Sequence, residues 1–176
     1  MNRYFVCQTK SYKTYIILPH DWSGVLRYTL SWVINIGGVF TRTQNDYSLT
    51  KSILGPNRML VNIVVTPLRP QEAEPSIETT REYFEGFSYR QNLFEASTGK
   101  IEVLSKEYFT AKYYRINSMG AQLIKKYSLY IERMEYLITA ILANVSKDGQ
   151  RPDEAEVNKK ENIYDSIVQS LFLEAK

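Results

Sequence analysis

The chain has 176 residues, 44% of them hydrophobic, and carries 22 basic against 19 acidic side chains for a net charge of +3. That length fits one domain with at most a short extension, and so small a net charge does not imply a nucleic-acid partner, so none is expected. A lone cysteine, Cys7, excludes an internal disulfide, and no run reaches the roughly 18 apolar residues that a membrane-spanning helix needs.

Charge is distributed unevenly. Residues 1–58 hold seven basic and two acidic groups, and residues 59–98 hold three and six. A basic N-terminal third suits an acidic partner, although ordinary solvated surface charge has the same look. Residues 1–11 read as an N-terminal arm and 12–176 as a single domain. The stretch before Cys7 is too short for a lipoprotein leader, and no signal peptide is visible. The expected compartment is therefore cytoplasmic as the chain stands, or periplasmic or envelope if a leader has been removed.

In chain order, residues 13–18 are β-branched and aromatic, and Pro19 ends them, so a strand and a turn through Asp21–Gly24 are expected. Trp22, beside that turn, is expected to plug one end of the core. Residues 26–40 fit both helical and alternating spacing. Their β-branched and aromatic content favours a strand with a turn at Gly37-Gly38, and Asn45-Asp46 marks a loop. Gly55-Pro56-Asn57 signals a turn into 59–65, the most apolar strand and so a central one. Residues 67–75 contain three prolines and read as an exposed linker.

Ser76 is a good N-cap and Glu78 places an anion in the first turn, so a helix begins there. Its stripe is Ile77, Thr80, Phe84 and Phe87, widened by Tyr83 and Leu93-Phe94. Beyond Gly99 the period changes to two. Strands are expected over 108–116, 122–132 and 136–143, a meander with a hairpin at Ser118-Met119-Gly120. A single helix over 125–144 is the rival, and its Tyr, Ile and Thr content argues against it. Asp153 caps a last helix whose buried stripe is Ile163, Ile167, Val168, Leu171 and Phe172, with Lys159, Lys160, Asp165 and Gln169 facing water. The expected fold class is α+β: an α/β/α sandwich, with a central antiparallel sheet and helices at about 76–95 and 153–173.

Chemistry is hard to place on this chain. His20 is the single histidine, and Asp21, its sequence neighbour, is badly placed to orient it as a base. With one histidine and one cysteine, no ordinary zinc site can be built. Glu82 with Glu85, and Asp153-Glu154 with Glu156, sit on helices where charges form solvated faces. Gly37-Gly38 and Gly55-Pro56-Asn57 lack the lysine and spacing of a phosphate loop. Lys125-Lys126 and Arg3, Lys10, Lys13 are too sparse to read as a nucleic-acid surface. No catalytic residue, metal site or cofactor is expected, and the chain is read as no enzyme.

Tyr15-Ile16-Ile17-Leu18-Pro19-His20-Asp21-Trp22 resembles the strand, proline, polar pair and tryptophan that open domains of the PsbP-like family. Tyr127-Ser128-Leu129-Tyr130, the run 136–143 and the closing run 163–171 resemble the last hairpin and terminal helix of that family, so the similarity spans about 12–173. The family includes a yeast Ran-binding nuclear import factor, DcrB-type lipoproteins and type VI secretion effector chaperones. The resemblance implies the sandwich above and non-catalytic docking on a protein partner. Fourteen tyrosines, most of them structural, leave some to stud a binding surface. The expected partner-binding residues are Tyr4, Phe5, Tyr12 and Trp22, on a sheet face and the aromatic N-terminal region. The alternative is an envelope lipoprotein or a small-ligand carrier.

Overall fold

The computed structural model describes residues 2–32, 47–91, 93–118, 120–145 and 148–176. Ten strands and two helices are present among the described residues. Strands β1 (Asn2–Gln8), β2 (Tyr12–Leu18) and β10 (Phe172–Ala175) form a three-stranded sheet in the order β1-β2-β10. Strands β3 (Ser23–Trp32), β4 (Tyr47–Leu54), β5 (Leu60–Pro67), β6 (Phe94–Val103), β7 (Lys106–Asn117), β8 (Gly120–Ile131) and β9 (Met134–Val145) form a seven-stranded sheet. Its order is β3-β4-β5-β9-β8-β7-β6, and every pairing is antiparallel.

The helices are α1 (Ile77–Arg90) and α2 (Glu154–Gln169). Alternation along β7 puts them on opposite faces of the large sheet. Phe109, Ala111 and Tyr113 point to α1 and pack on its Phe84, while Tyr108 and Tyr114 belong to the core under α2. The small sheet shares the α2 side, because Cys7 and Thr14 reach the Tyr136 hydroxyl of β9. The architecture is thus the α/β/α sandwich expected, with the small sheet laid beside α2. No helix among the described residues is long and apolar enough to cross a membrane.

Local chemistry sets the element ends. The Ser76 hydroxyl accepts the Thr79 N–H at 3.1 Å and opens α1, and the Asp153 carboxylate accepts the Ala155 N–H at 3.0 Å and opens α2. The meander falls where alternation put it, and β5 is flanked by β4 and β9, a central position. The 125–144 helix does not form. The first helix stops at Arg90, short of its expected end, and Phe94 opens β6 instead. There its ring stacks on Tyr114 of β7, centroids 5.3 Å apart, and that cross-strand pair outweighs a further helical turn. The last helix likewise ends at Gln169, and Phe172–Ala175 pairs with β2. Residues 2–8, the greater part of the N-terminal arm, form a strand whose Val6 is fully buried. The Gly37-Gly38 and Asn45-Asp46 readings fall outside the described residues.

Gly55 shows how closely the core closes at one end. A Cβ there would lie 2.5 Å from the Trp22 ring, so only glycine fits beneath it. The ring in turn meets Tyr164 edge-on, centroids 6.1 Å apart.

Candidate functional site

Two regions concentrate polar or aromatic side chains. One lies under α2. Lys112 of β7 and Lys125 and Tyr127 of β8 share a sheet face, and Glu161 and Asp165 are one turn apart on the helix above. Lys125 Nζ lies 2.7 Å from Glu161 Oε1 and 2.8 Å from Asp165 Oδ1, and Lys112 Nζ lies 3.0 Å from Glu161 Oε2. The Tyr127 hydroxyl donates to Asp165 Oδ1 at 2.7 Å. Burial alone would raise the Glu161 carboxyl, but hydrogen bonds from Lys125 and Lys112 outweigh it and hold the group below the usual carboxylate range. Burial, followed by the bond to Asp165, pushes the Tyr127 hydroxyl far above the ordinary phenol range. Each charge in this cluster has a partner, and the cluster clamps α2 to the sheet.

Asp165, expected to face water, is half-buried and turns its carboxylate to Lys125 and Tyr127 of the sheet, and Lys125 is buried. The signal for both was available: period two puts Lys125 and Tyr127 on one face, and the helical period puts Glu161 over Asp165. Lys126 points the other way, its ammonium 5.6 Å from the Phe84 ring centroid and 5.7 Å from that of Phe87, and burial lowers its pKa.

The second region is the outward face of the small sheet. In β2 the even residues Thr14, Ile16 and Leu18 are buried, so Lys13, Tyr15 and Ile17 point away from the core. Register sets Phe5 and Phe172 on either side of Tyr15. The Tyr15 and Phe172 rings stack at 5.4 Å, and Phe5 meets Tyr15 edge-on at 5.8 Å. The Arg3 guanidinium caps the stack, 4.6 Å from the Tyr15 centroid and 5.0 Å from that of Phe172. Glu174 holds that guanidinium at 3.0 Å.

Ile17 carries this face into a groove of about 540 Å³ between β2 and α2, whose apolar walls include Ile17, Pro19, Ile163 and Ile167. His20, exposed, and Ser166 stand at its border. Ser170 joins the two walls: its hydroxyl accepts the Ile17 N–H at 2.8 Å and donates to the Ile167 carbonyl at 2.6 Å.

Of the residues expected to bind a partner, Phe5 lies in this face and is 38% exposed. Tyr4, next to it, points inward and is half-buried against the core, its ring centroid 5.4 Å from the buried Lys51 ammonium. Tyr12 is half-buried at the start of β2, opposite Ala175. Trp22 is 6% exposed and sits in the core. The structure thus does not gather these four side chains into one patch. Arg3, Tyr15, Ile17 and Phe172 join Phe5 instead. For Tyr15 and Ile17, alternation against buried Ile16 was the available signal. For Phe172 none was available while it read as the end of a helix.

Neither a protein-family model nor a curated protein matches the chain. Among solved structures it resembles the solution structure of cyanobacterial PsbP (CyanoP) from Synechocystis sp. PCC 6803, with a TM-score of 0.50 over 92% of this chain and 86% of that one. The fold is PsbP-like. Sequence identity over the match is 9%, so the similarity lies in the arrangement of strands and helices.

Proposed function

We propose that this PsbP-like chain is a non-catalytic docking module that binds a protein partner through the outward face of β1, β2 and β10. The observation that carries this reading is the Tyr15–Phe172 stack, capped by Arg3 and extended by Phe5, opening into an apolar groove. Aromatic and arginine side chains are the groups enriched where interfaces gain most of their energy. Rings held by their neighbours also lose little rotamer freedom when a partner arrives. The paired state of the Lys125 cluster supports a binding role over a catalytic one, because a general base needs a free proton-accepting group within reach of substrate.

A photo-crosslinking amino acid at position 5 tests the reading in an extract of the source organism. One dominant crosslinked protein is expected, and Tyr15→Ala should abolish it while leaving the melting temperature within a few degrees. No crosslinked species, or one untouched by Tyr15→Ala, overturns the proposal. The groove volume lies in the range of small-ligand pockets and favours a second reading, a carrier of an apolar small molecule. Native mass spectrometry of the freshly purified protein separates the two, since a carrier retains a ligand and a docking module does not.

A further inference from the structure

The outward face of the small sheet carries more basic than acidic side chains. Arg3 and Lys13 lie on it, Arg3 opposite Ile17 and Lys13 opposite Glu174. Lys10 is exposed in the β1–β2 turn, and the Lys176 N–H donates to the Ser11 carbonyl, which brings a further lysine to the same turn. The carboxylate of this face is Glu174, and Arg3 already holds it. Arg3 and, after it, Lys13 across the strand pair hold the Glu174 carboxyl below its usual range, whereas Lys10 and Lys176 make no ion pair among the described residues. Asp21 lies past the other end of β2, beyond Pro19. The face therefore runs from a lysine-rich end, across an aromatic platform, to the apolar groove at Ile17.

We infer that the partner presents an extended acidic segment, with carboxylates at the Lys10–Lys13 end and a branched aliphatic or aromatic side chain in the groove. This rests on the docking reading above and adds the chemistry and spacing of what docks. Lys13 and Ile17 are on one face of one strand, so at about 3.3 Å per residue they are about 13 Å apart. An extended segment spans that distance with an acid and an apolar anchor about four residues apart. Charge complementarity selects such a segment over a basic one and speeds its encounter, and both effects weaken as salt is added.

The probe is a labelled synthetic peptide with two aspartates separated from a leucine by three small polar residues, made in both chain directions. A counterpart carries lysines for the aspartates. Fluorescence anisotropy at about 50 mM salt should show binding of one aspartate peptide and none of the lysine peptides. Amide shifts in a nitrogen-15 spectrum should centre on Tyr15, Ile17 and Phe172. Lys10→Glu with Lys13→Glu should weaken binding about tenfold, as should raising salt to about 300 mM. Failure of both aspartate peptides to bind, equal binding of the lysine peptides, or unchanged affinity in the double variant overturns the inference. So does occupation of the face by a second copy of the chain in sedimentation experiments. A crosslinked partner whose contacting segment is neutral or basic overturns the acidic assignment alone and leaves the docking reading standing. Absence of any partner at position 5 removes the docking reading itself.

Discussion

The two faces of the large sheet are sealed by different means. Under α2 the core is broad: Val61, Ile63, Tyr127, Leu129, Ile138, Tyr164 and Ile167 belong to one cluster that continues through Val6 and Ile16 of the small sheet. Under α1 the buried cluster is Phe84, Phe109, Ala111, Tyr113 and Ile124, mostly rings around one helical phenylalanine. The α2 face also holds the Lys125 ion cluster, whereas the α1 face holds Lys126 over two rings. The lesson is one of redundancy. Hydrophobic burial scales with area, so the α2 side binds its helix through many contacts and the α1 side through few.

That contrast can be broken from its strong side first. Ile167 is 3% exposed between α2 and the sheet, and Ile167→Asp puts a carboxylate there with no partner. The expected loss exceeds about 4 kcal/mol, enough to unfold the domain, seen as loss of the cooperative thermal transition. A retained transition with unchanged midpoint would remove α2 from the core. On the weaker side, Phe84→Ala deletes the ring that meets Phe109 and Tyr113 at 5.7 and 5.5 Å. A loss of about 3 kcal/mol is expected. Hydrogen exchange should rise in α1 and leave α2 protected, and equal deprotection of both helices would show that the two cores are not separable.

Acid titration sharpens the comparison with a smaller effect. The Glu161 carboxyl has a folded pKa below its unfolded value, so its stabilising share is present above the unfolded pKa, about 4.3, and is lost as pH falls through the lower folded value. The acid limb of unfolding should therefore shift to higher pH in Lys125→Met, which removes the main donor to that carboxylate. An unchanged limb would mean that Lys112 alone sustains the shift.

The large pattern was legible because period two and period 3.6 are local. The meander strands, the central β5 run and both helix starts follow from alternation and caps that any reader of the chain can find. Other parts depend on contacts distant in sequence. The exposed run Ala96-Ser97-Thr98-Gly99-Lys100 has no alternation to mark it as β6, and it is a strand because β7 pairs with it. The β6–β7 and β8–β9 turns place Leu104, Ser105, Glu132 and Arg133 at positive φ, without the Asn-Gly or Asp-Gly pairs that usually announce such turns. The outward aromatic face was half visible. Phe5 stood out as an N-terminal aromatic, but Phe172, which stacks on the far side of Tyr15, comes from the other end of the chain through a four-residue strand too short to announce itself.

The Ser170 hydroxyl, held between the Ile17 amide and the Ile167 carbonyl, has a consequence for anything that enters the adjoining slot. Helix end and strand are riveted together by one oxygen atom, so the gap between them has a set width before any visitor arrives. Entry then resembles a key meeting a cut lock more than a hand closing on a ball. On the docking reading proposed above, discrimination among visitors would fall to the breadth of the inserted side chain.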